Sequence, residues 1–395
     1  MEPSEGVCAL HAHTPQTVPL NMLTALLVSA ALISPPHILR QAITTAPLVT
    51  STHPSDGEPE KSVAAPLLDW KFEFDEWLFR AVPSADLAVD QATRIVQTSN
   101  GGGPGILNWI GLDFITDIGG ADGKTIGTLL LQPYVIHADG LPKTPPIFDG
   151  PHDWAMQWRF IQFDVTRWAH RGIGWKLGHF QVPFGLEHGI NTTGTLRQFT
   201  NNSNLGVKAD WGTSLYGERN GIDYEVAVTR GSGNEYREND GNRVLAARVG
   251  NSLEENLCFG VSYMDAQLTG QDPPGMMTSF PKPTRTRWGA DFRWRRATHT
   301  LLGETSYGKN DDDDVWASLL ELNSSSNDER SLYYAQLVAS GSKPSSGWQE
   351  REALQLGLRQ HLSAHSTLSL QWAQDLEVPT GAEKSVIAVQ LRFRF

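Results

Sequence analysis

From Ser385 to Phe395 the chain reads SVIAVQLRFRF, with Ile387, Val389, Leu391, Phe393 and Phe395 at every second position and Ala388, Gln390, Arg392 and Arg394 between them. Successive side chains of a strand point to opposite faces, so this stretch presents one apolar face and one polar face that carries two arginines. The same alternation recurs six more times. Leu257, Phe259, Val261 and Tyr263 oppose Cys258, Gly260 and Ser262, and Trp288, Ala290, Phe292 and Trp294 oppose Arg287, Gly289, Asp291 and Arg293. Ile110, Leu112 and Phe114 alternate with Trp109, Gly111, Asp113 and, further on, Asp117; Ile222, Tyr224, Val226 and Val228 alternate with Asp223, Glu225, Ala227 and Thr229. Leu354, Leu356 and Leu358 stand against Gln355, Gly357, Arg359 and His361, and Leu368, Leu370 and Trp372 against Thr367, Ser369 and Gln371. No sustained 3.6-residue period competes with this pattern.

A soluble sandwich shows the same alternation, so two further features decide the reading. The polar face carries ionised groups of both signs, which suits a wet interior. Trp70, Trp77, Trp154, Trp168, Trp175, Trp294 and Trp372 are placed towards strand ends, as in the aromatic girdles of outer-membrane barrels. The pattern predicts an all-β chain closed into a transmembrane antiparallel β-barrel.

Candidate strands fall near 70–79, 85–97, 107–118, 127–137, 155–167, 173–182, 211–217, 222–230, 242–250, 256–265, 284–295, 299–308, 315–323, 331–340, 351–361, 366–374 and 385–395. That is 17, and single-chain bacterial barrels have even counts, so about 16 strands are expected, with 14 or 18 as the neighbouring even values. The weakest patterns are 85–97 and 315–323. Asn220-Gly221, the Val249–Ser252 stretch and the His170–Gly174 stretch supply turn signals. Between Met156 and Val165 the apolar phase switches from Met156, Trp158 and Phe160 to Ile161, Phe163 and Val165, the signature of a β-bulge.

Composition removes several alternatives. The chain of 395 residues has a mean hydropathy of -0.32 and no run of the roughly 18 to 20 apolar residues that a membrane helix needs. A formal charge of -12 argues against a nonspecific nucleic-acid partner, and two cysteines argue against a disulfide scaffold or a cysteine zinc cluster. Met22 to Ile33 is nearly all apolar and has the length of a signal-peptide core, which makes 1–46 a leader-like segment with a start at Met22 as an option. Thr44-Thr45-Ala46 and Val63-Ala64-Ala65 are both small-residue cleavage candidates; a short buried helix is the alternative reading of the apolar run. Residues 47–65 read as a polar linker, and 66–395 as the barrel.

Trp175 to Glu187 reads WKLGHFQVPFGLE and resembles a strand-and-loop motif of the phosphate-selective porins of the O and P type. The closing SVIAVQLRFRF resembles the last strand by which outer-membrane barrels are recognised for assembly. The resemblance implies an outer-membrane channel, trimeric, set in a lipid bilayer, engaged by the barrel-assembly machinery through its C-terminal strand, and passing small hydrophilic or anionic solutes such as phosphate without a cofactor. The chain departs from that family in having only 10 Lys.

On the facing assignments, the channel wall carries Arg248, Arg287, Arg293, Arg295, Arg359, Arg392 and Arg394 against Asp113, Asp117, Asp223, Glu225, Asp291 and Glu304. Rings of one sign select ions of the other, and this balance gives phosphate no compositional support. Arg287, Arg293 and Arg295 share one strand face and form either an anion ladder or a set of structural pairs with Asp291 and its neighbours. The stretch Phe184–Asp210 lacks alternation. It is read either as a loop folded into the barrel, with Glu187, His188, Arg197 and Lys208 at a constriction, or as a surface loop.

Other motifs carry little. Gly101–Gly105 lacks the Lys-Ser/Thr of a phosphate-binding loop, Asp311–Asp314 lacks calcium-ligand spacing, His179 and His188 have no third metal ligand, and no Gly-x-Ser-x-Gly elbow occurs. The reading is therefore a passive channel and not an enzyme. The competing readings are an outer-membrane barrel enzyme and a secreted β-protein that binds carbohydrate.

Overall fold

The structure, a computed structural model, describes residues 85–395 apart from 100–103, 121–124, 141–153, 167, 169–171, 191, 201–203, 235, 237–240, 253–254, 269–283 and 378–384. The leader-like segment, the linker and the candidate strand at 70–79 lie outside the described residues. The other candidates are all strands, and they account for the even number.

In chain order these are β1 (Ala85–Thr98), β2 (Gly105–Gly119), β3 (Thr125–Asp139), β4 (Ala155–Val165), β5 (Gly174–Gln181), β6 (Ala209–Arg219), β7 (Ile222–Thr229) and β8 (Arg243–Asn251). They continue as β9 (Leu257–Gln267), β10 (Thr284–Arg296), β11 (His299–Asn310), β12 (Asp313–Ser325), β13 (Ser331–Lys343), β14 (Gln349–His361), β15 (Ser366–Glu377) and β16 (Ser385–Arg394). Each pairs antiparallel with its sequence neighbours, and β1 pairs β16 to close the ring. The seam is completed beyond β16: Val89 N donates to Phe395 O at 2.8 Å and Phe395 N to Val89 O at 3.0 Å. A ring of this size encloses an aqueous channel, whereas eight strands would be filled by their own side chains.

Burial follows the alternation. On β9, Leu257, Phe259 and Val261 are exposed while Cys258, Gly260, Ser262, Met264 and Ala266 are buried; on β16, Ile387, Val389 and Leu391 are exposed while Ala388 and Gln390 are buried. The exposed face is the apolar one, which is the reverse of a water-soluble sheet and suits an apolar surrounding. Tyr263, Trp288, Tyr307 and Trp316 form one row across β9 to β12, each the register partner of the next. This aromatic row was not evident from sequence, because its members come from four separate strands. Trp372, by contrast, lies in mid-strand in β15 and not at an end.

The bulge falls inside the stretch where the apolar phase switches. Gln132 pairs with Phe160 and Pro133 with Trp158, leaving Arg159 as the extra residue. Phe160 is therefore opposite the interior residue Gln132 and only 2% exposed, rather than on the outer face with Met156 and Trp158. Asn220 and Gly221 join β6 to β7 with φ of 55° and 74°, both in the left-handed region that a type I′ hairpin requires. The expected turn at Val249–Ser252 is displaced, because β8 runs through Gly250 and Asn251 and the connection follows it.

Candidate functional site

The 182–208 connection between β5 and β6 lies against the buried, polar face of the barrel wall and makes contacts far from its own strands. Val182, Phe184, Leu205 and Val207 pack with Val244 and Ala246 of β8, Met264 and Ala266 of β9, and Leu268. Leu186 and Ile190 pack with Cys258, Leu302 and Leu319 on β9, β11 and β12. Burying these apolar groups is the main driving force for docking the loop inside. Room for it is provided at Gly289 of β10, where a Cβ would lie 2.6 Å from Phe184 Cζ.

Polar contacts then fix its course. Gly185 N donates to Ser262 Oγ at 3.0 Å and Leu186 N to Glu304 Oε2 at 2.8 Å, and Gly185, at φ 62°, has no room for a side chain beside the Glu304 carboxylate. After a 3-10 turn at Glu187–Gly189 the loop reaches the seam of the ring. There Arg392 Nη1, Gln390 Nε2 and Arg94 Nη2 donate to the carbonyls of Thr193, Gly194 and Thr195. It returns along β12 to β14. Arg197 forms a two-pronged pair with Glu321 at 3.0 and 2.9 Å, Gln198 N donates to Gln336 Oε1, and Gln355 Nε2 donates to Gln198 Oε1. Asn204 finally meets Ser306 of β11 and Arg287 of β10.

The four loop residues singled out from sequence all belong to this excursion. Glu187 accepts from Lys208 Nζ, which also donates to Thr192 Oγ1 at 2.6 Å. His188 places Nδ1 at 2.9 Å from Gly185 O and Nε2 at 4.0 Å from Glu225. Arg197 is spent on Glu321.

The thirteen wall residues share the interior parity of their strands, and most are paired. Arg248 binds Asp291 through two bonds of 3.0 and 2.6 Å, and Glu225 accepts from Lys176 Nζ at 2.8 Å and from Ser214 Oγ at 2.7 Å. Arg392 grips Asp90 at 2.7 and 2.8 Å, and Arg394 reaches Asp113 at 3.4 Å. Tyr134 Oη stands 3.0 Å from both Asp90 and Asp113, so its single proton serves one carboxylate at a time. Asp117 accepts from Thr128 Oγ1, and Glu304 serves the loop as described. Arg293 is 1% exposed, Arg295 and Arg359 are half-buried, and Asp223 occupies the same face as Glu225.

Arg287 differs from the others in having five donors committed to protein acceptors: Nε to Asn204 Oδ1, Nη1 to the carbonyls of Thr286 and Lys309, and Nη2 to Asn204 O and Asn310 Oδ1. All of these acceptors are neutral, so its charge is not cancelled by a carboxylate partner there.

Asp90, Arg94, Arg159, Lys176, Arg285 and Glu321 were missed from sequence. Lys176 alternates cleanly inside WKLGHF and could have been assigned. Arg94 could not, because Gln91 and Thr93 put polar residues on the outer face of β1 and blur its pattern. Arg159 is displaced by the bulge.

No protein-family description matches the chain, and no curated protein matches it. Among solved structures it is similar to OprB of Pseudomonas putida, with a TM-score of 0.60, 10% identity, and 79% of this chain and 94% of that one covered. It is similar to OmpF of Salmonella typhi, solved in complex with daunomycin, at a TM-score of 0.57, 11% identity and coverage of 79% and 97%. A third is an anion-selective porin from Comamonas acidovorans, at a TM-score of 0.53, 13% identity and coverage of 79% and 99%. At these identities the likeness is one of fold: a closed antiparallel barrel of the outer-membrane porin type.

Proposed function

We propose that the chain forms a water-filled channel in a bacterial outer membrane for the passive diffusion of small hydrophilic solutes. The observation that carries this reading is a closed ring of sixteen strands, apolar outside and charged inside, crossed by its own 182–208 loop. In this reading the loop, docked on the interior wall, narrows the path. Glu187, His188, Arg197 and Lys208 then belong to the constriction, and the thirteen charged wall residues line the path. Selection arises from local imbalance, because most of the wall charges neutralise one another.

Anion preference is the finer part of the proposal. It is supported by Arg94, Arg285 and Arg287, which donate to neutral amide and carbonyl oxygens. The resemblance of WKLGHFQVPFGLE to the O and P porins points the same way. In this reading 1–46 directs export, the barrel-assembly machinery inserts the chain through β16, and three copies assemble in the bilayer. No chemical step on the solute is involved.

Single-channel recording of the purified full chain in a planar bilayer tests the proposal. Discrete conductance steps, with a reversal potential in a salt gradient displaced towards that of the anion, are expected. Recovery of the protein in the soluble fraction without detergent, or the absence of steps, rejects it.

A further inference from the structure

On the interior wall of β13 to β16 and β1, amide side chains saturate one another while two hydroxyls do not. Gln371 donates to Gln355 at 2.8 Å, Gln355 to Gln198 at 2.7 Å, and Gln336 to Gln198 O at 2.9 Å and to Glu321 at 2.8 Å. Glu321 also receives Arg197 and Asn323, so its acceptor sites are filled. Gln390 takes Arg94 Nε at 2.9 Å and gives its amide to Gly194 O. In this matched surface the hydroxyls of Tyr334 and Ser369 are buried with no hydrogen-bond partner, although the residues themselves are only 6% and 3% exposed. A buried hydroxyl left unpaired is costly.

Register brings these hydroxyls beside two arginines. Arg359, Ser369, Gln390 and Arg94 are successive partners across β14, β15, β16 and β1. Tyr334 lies on β13 with its ring laid across Gly357, two residues before Arg359 on the same face, where any larger residue would collide with the phenol. Tyr334 stands in the electrostatic field of Arg94, Arg197 and Arg359 and of the Glu321 carboxylate. Arg197 is matched by Glu321, whereas Arg94 donates to two neutral oxygens, Gln390 Oε1 and Thr195 O. The patch therefore offers hydroxyl donors and positive charge. Arg94 and Arg359 are half-buried, less enclosed than the two hydroxyls.

We propose that Tyr334, Ser369, Arg94 and Arg359 form a binding station for the carboxylate group of a small permeating solute. Two hydroxyls and two guanidinium edges answer the two oxygens, with about four lone-pair sites, of a carboxylate. The station deepens the channel reading and rests on it. It turns part of the wall from a passive lining into a place where one class of anion dwells.

The test is single-channel conductance of the full chain in potassium acetate and in potassium phosphate over a range of concentrations. The native chain is expected to saturate with acetate and to show half-saturation for phosphate at no lower concentration. Tyr334→Phe with Ser369→Ala, which removes only the two hydroxyls, is expected to shift acetate half-saturation about tenfold upward. Ser369→Thr, which keeps a hydroxyl, should retain near-native saturation. If the double variant does not recover as a β-rich protein by circular dichroism, Ser369→Ala alone gives the same reading at smaller amplitude. A conductance linear in acetate, a variant that saturates as the native chain does, or tighter saturation by phosphate overturns the station while leaving the channel standing. Absence of conductance in every salt overturns the channel and the station with it.

Discussion

Arg287 holds Asn204 at two points, donating from Nε to its side-chain oxygen at 2.9 Å and from Nη2 to its carbonyl at 2.8 Å. An arginine of the β10 wall thus clamps the returning limb of the inward loop, 83 positions earlier in the chain. Asn204→Ala removes the side-chain half of the clamp and leaves the arginine charge in place. Single-channel conductance should rise, with more fluctuation of the open level and little movement of the reversal potential. Conductance and noise identical to those of the native chain would show that the clamp does not hold the loop.

Charge on the same strand is tested separately. Arg287 and Arg293 share the interior face of β10, and their joint replacement, Arg287→Gln with Arg293→Gln, removes two positive charges from one side of the path. The anion-to-cation permeability ratio is expected to fall. An unchanged reversal potential in a salt gradient counts against a selective role for this face.

The outer face makes a prediction of its own. Val261 is 62% exposed in the middle of β9, between Phe259 and Tyr263 on the apolar face. Val261→Arg is expected to lower stability in bilayers by about 2–4 kcal/mol, the cost of a charge near the membrane midplane. The shift of the denaturant midpoint for unfolding from lipid vesicles measures it. A stability within experimental error of the native chain would mean that this face does not meet hydrocarbon.

The seam can be probed through Asp90, which is fully buried and paired with Arg392. Asp90→Asn leaves a largely buried guanidinium without its counter-charge, at an expected cost of about 3 kcal/mol. Adding Arg392→Gln removes the orphaned charge and should recover part of that loss. Additive losses in the double variant would show that the two residues are not coupled.

What the sequence made legible, and what it hid, follows from the range of the forces involved. Alternation is local, so β9, β10 and β16 could be placed and faced from their own residues. It weakens where the outer face turns polar, as at Gln91 and Thr93 of β1, or where leucines run together, as at Leu319 and Leu320 of β12. Both strands were the faintest of the set, yet both take full places in the ring. The loop is the harder case. Glu187, His188, Arg197 and Lys208 stood out as charges in an unpatterned stretch. Their surroundings could not be read, because Arg197 meets Glu321 124 positions away and Gln198 meets Gln336 138 positions away. The face of Arg287 was legible from periodicity, but the consumption of its donors by Asn204 and Asn310 was not.

The pairing of Asp90 with Arg392 spans 302 positions, and the β1 edge beside it must wait for β16 before its backbone groups are satisfied. Until that remote pairing is made, both strands expose open edges that could recruit a wrong partner. The order of events is thereby constrained: fifteen of the sixteen strand pairings can form between sequence neighbours, and only the last is remote. The vulnerable period in the life of this protein is the interval between the first and the sixteenth pairing, and whatever shelters the chain must do so at β1 and β16.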